Sequence, residues 1–96
     1  MASVVVTATA KRELKTLTES HSLPHSTASR LRQVLEPLHQ FPLLGADIGG
    51  RWTGIRFIVG PWRWMLILYR YDQSLDRVEV ISIQDGRSAQ SPMTDV

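Results

Sequence analysis

Ninety-six residues, a formal charge of +2 and no cysteine describe one small domain and exclude a disulfide framework or a thiolate metal site. A chain this short buries about 60–65% of the surface its unfolded form exposes, so one modest core is the limit. The sequence pI of about 9.5 permits a polyanionic partner, and no apolar run approaches the roughly 20 residues that span a bilayer.

The chain begins "MASVVVTATAKREL". No basic stretch precedes its short apolar segment, so this reads as a first strand and not a signal peptide. With no cysteine and no membrane segment, a cytoplasmic location is expected. Val4, Val5 and Val6 are β-branched and favour the strand. Thr7 or Thr9 then offers a hydroxyl to cap a helix. Ala10, Leu14 and Leu17 fall on one face of that helix, with Lys11, Arg12 and Lys15 off it.

"SHSLPHS" interrupts the pattern, and Pro24 suits the first turn of a second helix. Ala28, Leu31, Leu35 and Leu38 form its apolar stripe, widened by Val34. Pro37 predicts an end or kink near Glu36. "FPLLGADIGG" is punctuation between a helical half and a sheet half. Strands are predicted near 54–59, 62–71 and 77–84, with turns at Gly60-Pro61 and "DQSLD". The expected fold is α+β, in the order β-α-α-β-β-β, with a helical hairpin on one face of a mostly antiparallel sheet. Residues 1–87 form the single domain, and 88–96 read as a mobile tail.

The stretch from Arg51 to Tyr71 holds all three tryptophans, both tyrosines and four arginines, but no acid. A two-residue Gly60-Pro61 loop of type II′ would set Val59 opposite Trp62 and Arg56 opposite Met65. Alternation then sends Ile55, Phe57, Val59, Trp62, Trp64, Leu66 and Leu68 to the helices. It sends Arg56, Ile58, Arg63, Met65, Ile67, Tyr69 and Tyr71 to an outer face. Guanidiniums beside tyrosine rings are what phosphate and base recognition uses, although arginines on an outer sheet face are more often simply solubilising.

Other constellations are weaker. His21 and His25 are four apart, but Pro24 lies between them and no third ligand is near. His39 reads as a helix-end residue. Gly45, Gly49 and Gly50 lack the Lys-Ser/Thr of a phosphate loop. Ser82 and Asp85 have no partnering histidine in sequence. Neither metal nor cofactor is expected.

The element order, the "FPLLG" helix exit and "GIRFIVGPWRW" resemble the RelE/ParE toxin superfamily of bacterial type II toxin–antitoxin systems, from the first strand to Arg87. The resemblance implies a small toxin neutralised by a cognate antitoxin. In its RelE branch it implies metal-independent, ribosome-dependent cleavage of messenger RNA. In its ParE branch it implies inhibition of DNA gyrase by protein contact. A degenerate toxin that keeps only antitoxin binding is a third reading.

For the cleaving branch the resemblance puts Arg63, Arg56 and Arg87 at catalytic positions, with Arg63 stabilising the transition state. Arg56, Arg63, Tyr69 and Arg87 would then bind RNA. The sequence departs from that pattern at Ile58, where a second basic residue is usual, and in a C-terminal segment without tyrosine or histidine. If Tyr69 instead of Gly60 anchors the alignment, Leu66 falls at the arginine position.

Overall fold

The computed structural model describes residues 1–87, so the expectation for the tail 88–96 lies outside the described residues. Strand β1 (Ser3–Val6) leads into α1 (Ala8–Ser20). Thr7 caps the helix, its hydroxyl oxygen accepting the Ala10 N–H at 3.2 Å. Helix α2 (Thr27–Leu35) begins three residues after Pro24, whose carbonyl accepts both the N–H and the hydroxyl of Thr27. Pro24 therefore precedes the first turn instead of sitting in it. A 3₁₀ turn over Glu36–His39 follows at Pro37, where the ring forbids a further α-helical bond.

The sheet half contains β2 (Ala46–Asp47), a 3₁₀ turn (Gly50–Trp52), β3 (Arg56–Val59), β4 (Met65–Asp72) and β5 (Arg77–Asp85). The strand order is β1-β5-β4-β3-β2. Among the described residues only the β1–β5 pair is parallel. The expected α+β order holds with one addition, β2, which lies inside the segment read as punctuation. Two residues carry no periodicity, and β2 exists because it pairs with Phe57 and Arg56 of β3.

The β3–β4 register differs from the expected one. Arg56 faces Tyr69 and Val59 faces Leu66, so the loop spans Gly60 to Trp64. The loop is closed by Gly60 N–H to Met65 O at 2.8 Å and Met65 N–H to Trp62 O at 2.9 Å. Gly60 does not adopt positive φ. It is needed for space, because a Cβ there would lie 2.9 Å from the Met65 sulfur. Trp62 and Trp64 leave the strand and pack from the loop onto the edge of the core.

The faces are also inverted. Met65, Ile67 and Tyr69 belong to the core cluster with Leu31, Leu35 and Leu38, and Ile58 packs on it. Leu66 and Leu68, with Phe57 and Val59, take the opposite side. The even displacement kept the alternation intact, but both faces are apolar and alternation alone does not say which one the helices cover. Residues Met65 to Tyr69 are all buried, as expected of a central strand enclosed on both sides.

Tyr69 has no exposed surface. Its hydroxyl oxygen accepts the Gly45 N–H at 2.7 Å. A Cβ at Gly45 would fall 2.6 Å from the Phe57 carbonyl and 2.8 Å from the Tyr69 ring, so only glycine fits. Tyr69→Phe should leave the buried Gly45 N–H unpaired and cost about 1–3 kcal/mol. Gly45→Ala should cost a similar amount, about 1–3 kcal/mol, through overpacking. Urea unfolding of both variants checks this, and unchanged midpoints would contradict it.

Candidate functional site

Strand β1 ends where Thr7 N–H meets the Val80 carbonyl at 3.1 Å. From there α1 runs beside the rest of β5. Thirteen helical residues span about 20 Å, and the five residues after Val80 span about 17 Å. The end of the helix therefore meets the end of the strand, and His21 meets Asp85.

His21 Nε2 lies 3.2 Å from Asp85 Oδ2, and Nδ1 lies 2.8 Å from the Ser20 hydroxyl. The ring stacks on Trp64 at 4.5 Å between centroids and 18° between planes. Arg87 holds Asp85 through two guanidinium nitrogens, at 3.0 and 2.9 Å, and sits 5.2 Å from the Trp64 ring centroid. Gly86 N–H donates to the Trp64 carbonyl at 2.6 Å, which ties the β3–β4 loop to the end of β5. The Arg87 side chain, its backbone N–H and the His21 ring hold the Asp85 carboxyl well below the usual aspartate range, against opposing desolvation.

On the other side of the loop, Arg30 of α2 lies 5.2 Å from the Trp62 ring centroid. Arg63 is exposed between the two tryptophans. The hairpin end of the sheet thus gathers Arg30, Arg63, Arg87 and one imidazole around two indoles. Beside it, a cleft of about 370 Å³ runs between α1 and β5, lined by Leu17, Ile83 and Asp85 among others. Glu13 closes part of the free β5 edge by accepting the Ser82 hydroxyl at 2.9 Å and the Ile83 N–H at 3.2 Å.

Arg56 and Tyr69 are elsewhere. Arg56 starts β3, whereas the loop carrying Arg63 leaves its far end. Three strand steps separate the two ends of β3, about 10 Å. The Arg56 guanidinium donates to the carbonyls of Gly45 at 2.7 Å and Leu43 at 3.3 Å. The Tyr69 ring, expected on an outer face, is enclosed. Desolvation raises its hydroxyl pKa, with the Gly45 bond and the Arg56 charge acting against that. A ring so buried offers no face to a base. Of the four residues singled out from sequence, Arg63 and Arg87 share one end of the molecule and Arg56 and Tyr69 support another.

The His21–Asp85 contact was missed because 64 residues separate the partners. The available signal was geometric: a parallel β1–β5 pair followed by α1 brings the helix end to the strand end. Elsewhere His39 Nδ1–H donates to the Ala2 carbonyl at 2.8 Å, and its Nε2 lies 3.9 Å from Glu36. Among the described residues no three histidines or carboxylates group as metal ligands. None of their helices is long and apolar enough to cross a membrane.

Neither a protein-family model nor a curated protein matches this sequence. Solved structures do. A chain of the toxin–antitoxin complex RelBE2 from Mycobacterium tuberculosis is similar at 25% identity and a TM-score of 0.60, over 88% of this chain and 96% of that one. A chain of the chromosomal ParDE toxin–antitoxin system from P. aeruginosa is similar at 15% identity and a TM-score of 0.69, with the same coverage. These neighbours are toxin components of their systems. The chain has the fold of the RelE/ParE toxin superfamily.

Because Asp85 has a lower pKa folded than unfolded, its stabilisation is complete above the ordinary aspartate range and is lost progressively below it, down through the folded pKa. The stability gap between the unsubstituted chain and Asp85→Asn, read by urea unfolding, should be full at neutrality and narrow below about pH 4. A gap that does not change between pH 7 and pH 3 would contradict the assignment.

Proposed function

We propose that this chain is the toxin of a toxin–antitoxin pair, silenced by a cognate antitoxin, and that it acts by protein contact. Similarity in fold to toxin components, over nearly the whole of both chains, supports the first part. The second part rests on Arg56. Cleavage of RNA by the expected constellation needs Arg56, Arg63 and Arg87 around one phosphate. Here the Arg56 guanidinium is committed to two backbone carbonyls of its own fold. Leu66, the position that Tyr69-anchored alignment puts at the arginine, is leucine on an apolar face. DNA gyrase is the target that the ParE branch implies.

A second reading is kept by the hairpin end. There Arg63 and Arg87 could hold a phosphate, and His21 could take the proton of a 2′-hydroxyl. This would be a metal-independent endoribonuclease acting on messenger RNA in the ribosome. It departs from the sequence expectation in replacing Arg56 with an imidazole.

Induced expression separates the readings. Protein contact with gyrase predicts DNA breaks, an SOS response and inhibition of supercoiling by the purified chain, all retained in His21→Ala. Fresh 5′ ends on ribosome-bound transcripts, lost in Arg63→Ala, would overturn this in favour of cleavage. Neither effect would leave a chain that only binds its antitoxin.

A further inference from the structure

Helix α2 and its 3₁₀ extension deliver the chain into "FPLLG", and here the molecule exposes what it would ordinarily cover. Phe41, Leu43 and Leu44 are 60%, 57% and 56% exposed. Three large apolar side chains in four consecutive residues stand in solvent together. Their backbone is firmly held. Phe41 N–H bonds to Pro37 O at 2.9 Å, and Leu44 N–H to Phe41 O at 3.0 Å. The carbonyls of Leu43 and Gly45 are taken by Arg56, and the Gly45 N–H by Tyr69. Arg56 and Tyr69, two of the four residues expected to bind RNA, thus brace this turn from beneath.

The braced turn walls a cleft of about 390 Å³ lined by Phe41, Pro42, Leu43, Leu44 and Tyr71, all apolar or aromatic. A second cleft of about 450 Å³ adjoins it, sharing Pro42 and Tyr71 and ending at His39 and Asp76. Two exposed carboxylates stand by it. Asp76 accepts the Tyr71 hydroxyl, is about half exposed and lies 4.0 Å from the Met1 ammonium, and Glu36 is 77% exposed and 3.9 Å from His39. Arg56, the nearby guanidinium, spends its donors on the carbonyls of Leu43 and Gly45. The chemistry suits a protein segment with apolar anchors flanked by lysine or arginine. A rigid apolar turn also loses little freedom on binding, which favours affinity.

We infer that this cleft is where the antitoxin docks, through an amphipathic segment whose apolar side chains enter between Phe41, Leu44 and Tyr71 and whose basic residues meet Glu36 and Asp76. The inference rests on the toxin–antitoxin reading. It leaves the hairpin end, with Arg63, on a different part of the surface.

The test uses the full chain and the purified product of the reading frame adjacent to its gene, with affinity measured by calorimetry. Leu43→Asp and Leu44→Asp should each weaken the complex by about 30-fold, as loss of an interfacial anchor does. Both sites are exposed, so thermal unfolding of the variants should match the unsubstituted chain. Glu36→Lys should slow association and reduce its salt dependence. No complex with the unsubstituted chain would overturn the toxin–antitoxin reading itself. A complex unaffected by both leucine variants but weakened by Arg63→Glu would overturn only the cleft and move the antitoxin to the hairpin end. Self-association of the chain that Leu44→Asp abolishes, with antitoxin affinity unchanged, would give the cleft to a second copy and also overturn the inference.

Discussion

The pairing of Tyr69 with Arg56 decides the layout of the sheet half. Tyr69 sits at zero exposure in the middle of β4, and its hydroxyl reaches Gly45 across β3. A bulky ring with a single polar atom can be buried only where that atom finds a partner. The Gly45 N–H is that partner, and Gly45 has no side chain because the ring and the Phe57 carbonyl fill the space. With Tyr69 fixed, Arg56 lies opposite it and spends its guanidinium on Gly45 and Leu43. The β3–β4 loop must then hold five residues, and the tryptophans move out of the strand to the end of the sheet.

Two ends of different chemistry result. At the hairpin end, arginines lie over indole rings, and Asp85 joins Arg87 to His21. Arg30 and Arg87 there each lie over an indole, Arg87 also holds a carboxylate, and Arg63 stands exposed. At the opposite end, an apolar turn is presented on a braced backbone, with two exposed carboxylates nearby. The expected single cationic face divides into these two regions because β3 is only long enough to separate Arg56 from Arg63, not to bring them together.

Much of this was legible in the sequence. Three consecutive valines, the Thr7 cap, the leucine stripes of both helices and the kink at Pro37 all rest on local rules, and the structure keeps each of them. The α+β class followed from the order of the elements, although β2 and the spatial order of the strands did not. The register did not, since it depends on which residue of β4 can bury a ring beside a glycine 24 positions earlier. A Gly-Pro pair suggests a tight turn, but Met65 needs the space over Gly60, and Trp62 and Trp64 find better packing from a wider loop. The facing of the sheet was equally hidden, because Ile58, Met65 and Ile67 are as apolar as Phe57, Leu66 and Leu68. The His21–Asp85 pair required the tertiary path of α1 along β5.

The register is the claim on which the rest turns, and cross-strand nuclear Overhauser effects read it directly. In solution NMR of the full chain, the backbone protons of Arg56 should show cross-strand contacts to Tyr69, and those of Ile58 to Ile67. Contacts from Arg56 to Met65 and from Ile58 to Arg63 would instead report a two-residue turn at Gly60-Pro61. That result would return Arg63 to the strand and remove the brace beneath the apolar turn, contradicting the account.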